Sequence, residues 1–337
     1  MGYFITGASI SENIRVSLGS AVMLGLLKGK IGVNPTTIYL LMCRNQKCFA
    51  NCGFCPQARK NEGRADMLSR VTWPTFATNR VIDQIVRSFK EGAIQRVCIQ
   101  SLNYPEVFHD LLLLVKKIKS KIQVPLSVSC KPINSKKMKT LAEAGVTRIS
   151  IALDAANKQI FDKVKGKQID GPYNWEEQRK ALKEAVTIFG EGSVSTHLIV
   201  GLGETEKDLC QAIHWCVDSG IYPALFAFTP ISGTAFEQNP PPSLNSYRRV
   251  QVVQYLLTHK KTRFEHLEFD KGGKIKTFAT SKKQLLDIIN SGVPFETSGC
   301  PGCNRPYYNE RPGGPMYNYP RKLQLDEIVK AKKELGF

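Results

Sequence analysis

No apolar run in this sequence reaches the roughly 18 residues that a membrane-spanning helix needs. Residues 21–27 are apolar, but the run is short and Lys28 and Lys30 close it. A basic stretch leading into a long apolar one is missing at the start, so no export signal is read there. Internal repeats, low-complexity tracts, zinc-finger patterns and RNA-recognition signatures are missing too. The five histidines are scattered and form no catalytic constellation. Acidic residues are in deficit, 29 Asp and Glu against 47 Lys and Arg, for a formal net charge of +18. Together these absences point to a cytoplasmic chain with no membrane partner. The charge favours an anionic partner. Nucleic acid lacks a supporting motif, which leaves an acidic protein. Lysine-rich helix faces such as Lys116, Lys117, Lys119 and Lys121 also fit a plain solvated surface.

Cysteine is what the chain has in plenty, with ten in 337 residues. A disulfide-stapled secreted domain would be shorter and would carry an export signal. Thiols kept reduced for metal binding are the better reading. Cys43, Cys48, Cys52 and Cys55 crowd one segment, and Cys300 and Cys303 pair near the other end.

The length allows one large core or two modest domains, and a hydrophobic share of 42% argues against disorder. Short β-rich runs at 36–42, 96–100, 126–129, 148–153, 195–200 and 224–228 alternate with helical patterns. Val107, Leu111, Leu114, Ile118 and Ile122 fall on one helical face. Asn174 followed by Glu177 predicts a capped helix start, with the helix running to about Phe189. Residues 135–144 and 204–218 read as two more helices. Six strands with crossover helices imply an α/β fold with a parallel sheet, a partial (β/α)6 barrel of TIM-like type. Chemistry in such barrels sits at the C-terminal ends of the strands. The expected organisation is an N-terminal helical extension (1–34), the barrel (35–260) and a C-terminal extension (261–337). In the last part, 263–278 reads as extended, 281–290 and 325–335 as helices. Residues 297–320 are rich in Pro, Gly, Tyr and Asn, cannot be regular structure, and need something to order them.

The cysteine loop Cys48-x-x-x-Cys52-x-x-Cys55 follows directly on the first of these strands. Three thiolates on one tight loop can ligate three irons of a cubane cluster and leave the fourth iron open. A zinc loop is the alternative, although zinc sites usually show paired CxxC units. With Phe54 just before its last cysteine, the loop resembles the signature of the radical S-adenosylmethionine (SAM) superfamily. That resemblance implies a [4Fe–4S] cluster whose open iron binds SAM. It implies further that His197-Leu-Ile199-Val-Gly201-Leu-Gly203-Glu204, at the end of the fifth strand, lies against the adenine. Asp154 ends the fourth strand, where a carboxylate can accept hydrogen bonds from the ribose; a turn or cap role is as natural. The turn 229–234 resembles one found at the sixth strand of this superfamily and can be purely structural.

Cys43 is left unpaired beside the first motif. With Cys300 and Cys303 it makes three ligands for a second, auxiliary [4Fe–4S] cluster, whose binding would order the C-terminal segment. Ser298, Arg305 or an external sulfide could complete the shell; a small zinc site or a metal-free pair are the alternatives. Cys98 and Cys130 read as core residues, as do Cys210 and Cys216.

Cys55-Pro-Gln57 together with 199–204 resembles biotin synthase over roughly residues 35–260. In that family cysteines on strands two, three and five, with an arginine, hold a sacrificial cluster. Cys98 and Cys130 match the first two, whereas strand five offers Ser195, Thr196 and His197, and no counterpart of the arginine motif is found. The pair Cys300-x-x-Cys303 is more similar to the biotin-synthase-like proteins that form a two-component lipoyl synthase in archaea. That resemblance implies sulfur insertion into an octanoyl chain carried on a lysine of an acidic lipoyl-carrier protein or on an octanoyl-lysine peptide. It also implies a second synthase subunit and an electron donor such as ferredoxin. Biotin synthase proper, and a maturase or rearrangement enzyme that inserts no sulfur, are the enzyme alternatives. A zinc-stabilised protein with a basic nucleic-acid surface is the alternative outside catalysis.

Overall fold

The computed structural model describes residues 12–44, 46–311 and 313–336. Its strands, in chain order, begin with β1 (Asn13–Val16), β2 (Thr37–Leu41), a small hairpin of β3 (Met67–Leu68) and β4 (Val71–Thr72), and β5 (Thr75–Ala77). They continue with β6 (Arg96–Gln100), β7 (Leu126–Ser129), β8 (Val146–Ser150), β9 (Val194–Val200) and β10 (Ile221–Ala227). The main sheet has the order β10-β9-β8-β7-β6-β2-β1-β5. Every neighbouring pair from β2 through β10 is parallel. Six parallel strands in chain order make the α/β partial barrel that the alternation predicts. β2 shows why, because all five of its residues are buried, as a strand covered on both faces requires.

The sheet continues past β2 through an antiparallel strand, β1, which pairs with β2 on one side and β5 on the other. This corrects the expectation of a purely helical N-terminal extension: its described part holds β1 and only a short helix, α1 (Leu18–Met23). Residues 1–11 of that extension lie outside the described residues.

The barrel helices are α2 (Thr78–Lys90), α3 (Val107–Lys119), α4 (Ser135–Glu143), α5 (Lys158–Val164), α6 (Trp175–Phe189), α7 (Glu206–Asp218) and α8 (Leu244–Thr258). α3 buries Val107, Leu111, Leu114 and Ile118, the apolar face seen in the sequence. Asn174 caps α6 by accepting from the backbone of Glu176 and Glu177 at 2.9 and 3.2 Å. α7 starts two residues later than predicted. Thr205 and Asp208 close a capping box there, and Glu204 turns back toward the strand.

β8 is displaced as well, starting at Val146 rather than 148 and ending at Ser150. Beyond it the Thr196 hydroxyl substitutes for the strand ladder. It accepts from the Leu153 amide at 2.9 Å and donates to the Ile151 carbonyl at 2.8 Å. The chain stays pinned and buried while leaving strand geometry. β10 runs in unbroken register with β9, from Ile221 beside Val194 to Ala227 beside Val200. It lies at the sheet's edge, where Pro223, which has no amide hydrogen, is tolerated.

After the barrel come a short hairpin, β11 (Glu268–Phe269) and β12 (Ile275–Thr277), then α9 (Lys282–Asn290) and α10 (Leu325–Leu335). This C-terminal part is fastened to α8 by a buried arginine. The Arg248 guanidinium donates to Gln251 Oε1 and the Tyr317 carbonyl, both at 2.7 Å, and to Glu334 at 2.9 Å. The irregular loop over residues 297–310 then bridges the two ends of the parallel sheet. Ser298 Oγ accepts from the Leu225 amide of β10 at 2.8 Å. Asn304 Oδ1 accepts from the Thr36 amide, next to β2, at 3.1 Å, and Asn304 Nδ2 donates to the Asn34 carbonyl at 2.9 Å. Among the described residues, no helix is long and apolar enough to cross a membrane.

Candidate active site

The loop after β2 turns so that Cys48, Cys52 and Cys55 all line one cavity of about 210 Å³ at the C-terminal end of the barrel. Its own backbone makes much of the shape. The Cys55 amide donates to the Cys52 carbonyl at 3.0 Å, and the Cys48 amide to the Gln57 carbonyl at 2.9 Å. Asn61 staples the turn from outside, its Nδ2 donating to the carbonyls of Cys55 at 2.8 Å and Cys52 at 3.3 Å. Gly53 sits where a Cβ would come 2.6 Å from Ile169 Cδ1, and its amide donates to the Val164 carbonyl at 2.8 Å. The loop is thus pressed against the end of α5.

The donor set fits a [4Fe–4S] cluster. The three cysteines are free, and the Asn103 backbone N–H points at Cys48 Sγ from 3.1 Å, the kind of donor that ligand sulfurs receive. Burial pushes the Cys52 thiol up to about 12, against the pull of Lys165, and pushes the Cys55 thiol up as well. Metal coordination reverses that preference, since a bound cation deprotonates a thiol. Among the described residues, no three Cys, His, Asp or Glu side chains converge on a point that would hold a single metal ion; a cubane asks for thiols spread around a larger core.

Phe54, Asp154 and Ile199 line the same cavity as the three cysteines. Asp154 takes a left-handed conformation, φ 65°, fixed by its amide on the His197 carbonyl and its carbonyl on the Ile199 amide, both at 2.8 Å. Its carboxylate is paired with Lys165 Nζ at 2.6 Å, both groups being buried. Lys165 also donates to the Ala152 carbonyl at 2.8 Å and lies over the Tyr173 ring. Gly201, Gly203 and Glu204 stand just beyond the strand and are not among the cavity's lining residues. They form the turn that ends β9 instead. Gly201 and Gly203 have φ of 105° and 109°, a conformation that only glycine adopts freely. The Glu204 carboxylate accepts from the amides of Gly201 at 2.6 Å and Leu202 at 2.9 Å. Burial pushes its carboxyl up, while those amide bonds hold it back.

Nothing in the sequence marks Lys165 and Tyr173, which reach the site from the segment that follows α5. His197 heads the stretch expected against the adenine and lines the same cavity. Its ring lies 4.7 Å from the Phe226 ring and 3.4 Å from Ser150 Oγ. Burial pushes its imidazole down to about 4, so it is neutral near pH 7.

The second cysteine set differs from the expected one. Cys43 lies past the C-terminal end of β2, whereas the Cys300–Cys303 loop docks at Thr36, before that strand's N-terminal end. An intervening extended strand keeps Cys43 away from the pair. Cys98 stands beside the pair instead and lines one small cavity with Cys300, Cys303 and Arg305 in the lower lumen. Burial, and then the neighbouring Cys300 and Cys303, push the Cys98 thiol up. Cys130 lines neither cavity. Cys210 and Cys216 are buried in α7, as core residues. Ser298 is spent on the β10 edge, and Arg305 stacks 3.9 Å over the Phe226 ring.

Comparison with known proteins agrees with this geometry. Residues 43–216 match the family model described as the radical SAM superfamily. The chain is similar to biotin synthase of Christiangramia forsetii, 24% identical over 68% of this chain and 62% of the relative. It is also similar to biotin synthase of Clostridium acetobutylicum, 22% identical over 67% of this chain and 66% of the relative. It therefore spans less than two thirds of the length of these relatives. Among solved structures it resembles methylornithine synthase, at 14% identity and a TM-score of 0.52, over 73% of this chain and 77% of the other. It resembles the FeFe-hydrogenase maturase HydG of Carboxydothermus hydrogenoformans at 16% identity and a TM-score of 0.52, over 86% of this chain and 64% of the other. At these identities the likeness is one of fold.

Proposed function

As the chain belongs to the radical SAM superfamily, we propose that it is a sulfur-inserting member that works in lipoyl cofactor assembly. Its substrate is an octanoyl chain on an acidic lipoyl-carrier protein, and it acts with a second radical SAM subunit and an electron donor such as ferredoxin. One observation carries this reading: a second group of thiols lies inside the same lumen as the Cys48–Cys52–Cys55 loop. A radical generator needs only one such group; a sulfur inserter needs a sulfur source facing the radical.

Cys48, Cys52 and Cys55 would hold a [4Fe–4S] cluster with an open iron, which when bound would supply the electron for reductive cleavage of SAM; the radical that abstracts hydrogen from a saturated carbon would be the 5′-deoxyadenosyl fragment of SAM itself. The chain's own residues prepare the space around it. Ile199 and Phe54 offer apolar faces to an adenine. Asp154, anchored by Lys165, keeps one oxygen for a ribose hydroxyl. Leu41, Leu102, Ala152 and Phe228 line the cavity with apolar surface and keep water from a reactive intermediate. His197, neutral, adds no charge to the path between the two thiol groups. The charge of +18 steers an acidic carrier toward the mouth.

The test is anaerobic incubation with SAM, a reductant and either an octanoylated carrier domain or dethiobiotin, followed by mass spectrometry. A gain of sulfur on the octanoyl chain supports the reading. A gain only on dethiobiotin favours biotin synthase, the reading that the curated relatives suggest. SAM cleavage with no sulfur gained on either substrate favours a rearrangement or maturation enzyme. Added salt should slow turnover of the carrier protein by about tenfold or more, the scale of electrostatic steering, and barely slow a short octanoyl peptide. Equal slowing removes the steering argument.

A further inference from the structure

We propose that Cys98, Cys300 and Cys303 are the thiol ligands of a second iron–sulfur cluster seated in the lower half of the barrel lumen. Its use as a sulfur source rests on the reading above; the site itself rests on geometry. β2, β6 and β7 run parallel and in register, with Tyr39 beside Cys98 and Cys98 beside Ser127. Side chains in one such row leave the same face of a sheet, so all three point into the lumen. The C-terminal loop sets its two cysteines on the two ends of this row. Cys303 Sγ lies 3.2 Å from the Tyr39 hydroxyl, and Cys300 Sγ lies 3.6 Å from Ser127 Oγ. Cys98 occupies the place between them. Two segments far apart in the chain thus bring three free thiols to one small cavity.

The surroundings suit an anionic group. Arg148 and Arg305 line the cavity, and among the described residues no carboxylate does. Arg148 Nε is buried without a hydrogen-bond partner. Arg96 approaches from below, its guanidinium donating to Ser127 Oγ at 3.2 Å, and its own Nε is likewise buried and unpartnered. Three neutral thiols leave the buried Nε–H groups of Arg148 and Arg96 without an acceptor, and a buried polar group left unpaired is costly. Thiolates and sulfides on iron supply the missing negative charge. The Arg305 amide donates to the Tyr39 hydroxyl at 3.1 Å, so the loop, the phenol and the row of strands are held as one unit.

The experiment uses the full chain, reconstituted anaerobically with iron and sulfide, with iron and sulfide analysis and electron paramagnetic resonance as readouts. The wild type should bind about eight irons, and C98S, C300S and C303S about four each, as expected for loss of one of two cubanes. The remaining cluster in these variants should keep a resonance that shifts on adding SAM. C43S should stay at about eight irons. If C43S drops by half and C98S does not, the ligand set is wrong, although a two-cluster sulfur inserter survives. A wild type with only about four irons, or with zinc in the second site, overturns the proposal. Eight irons without sulfur transfer to any substrate would sink the functional reading and leave this site standing. Should C98S fail to fold, C43S beside C300S and C303S decides the matter: about four irons in the loop variants and about eight in C43S keep the set, and about four in C43S overturns it.

Discussion

The two ends of the barrel lumen hold cysteines in opposite ways. At the upper end, three thiols lie within eight residues of chain, and the turns that aim them belong mostly to the same segment. At the lower end, one thiol comes from the second parallel strand and two from a loop near the C-terminus, aligned by a row of strand residues and by side-chain bonds to the two ends of the parallel run of strands. The upper site is local and survives wherever its strand and loop fold. The lower site exists only once the whole sheet has formed and the C-terminal segment has docked. The local loop is the part that marks the superfamily, and the distant assembly is the part on which the proposed sulfur chemistry rests.

Substitutions at either end test that contrast. The largest effect belongs to the local loop. C52A should reduce SAM cleavage to background, a loss beyond the roughly 10–100-fold typical of outer-shell ligand partners, while sparing the lower site's iron. Loss of both clusters in C52A would show that the two sites are not independent. Chromatography of 5′-deoxyadenosine and iron analysis read both. Next is Lys165→Met, which strands the buried Asp154 carboxylate and should cost about 3–5 kcal/mol in chemical denaturation; a change under about 1 kcal/mol would mean that the pair is effectively solvated.

His197 gives a pH signature. Its folded value, about 4, lies below the roughly 6.5 of a free imidazole. The unfolded chain therefore binds the extra proton first. The His197 contribution is fully present above pH 6.5 and is lost as pH falls toward 4, by at most about 3 kcal/mol. Burial is the main cause; Arg305 and Lys165 add to it and Asp154 opposes it. Denaturation midpoints of wild type and His197→Gln should diverge as pH falls across this window, with the variant losing less. Parallel curves would place the ring in water. The smallest effect is at the assembled end. N304A removes bonds to the Thr36 amide and the Asn34 carbonyl and should cost about 1–2 kcal/mol. Limited proteolysis should then cut within residues 297–310 sooner, and the upper loop should be unaffected.

Much of the fold was legible in order and period. β6 and β7 fall where the apolar runs place them, and so do α4, α6 and α10 to within a residue. The errors have physical causes. β8 was misplaced because the Thr196 side chain imitates a strand partner beyond the strand's end. α7 was started too early because Glu204 bonds backward to the turn rather than forward into the helix. Lys165 was invisible because nothing in its neighbourhood marks a lysine that will be buried against Asp154. Cys43 is grouped with Cys300 and Cys303 because it is left unpaired beside the first motif, and the length of β2 then separates it from them.

By itself, then, the sequence determined what depends on short spacing: the three-cysteine loop, the glycine turn after the fifth parallel strand, the α/β alternation and the excess of positive charge. These follow from bonds and periods that act within a few residues. Tertiary structure alone decided which cysteine joins Cys300 and Cys303, that Asp154 is tied to Lys165, and that an irregular loop rich in Gly, Pro and Tyr bridges the open barrel. Each of those depends on strand register and docking, where residues far apart in the chain meet and local pattern carries no information about the partner.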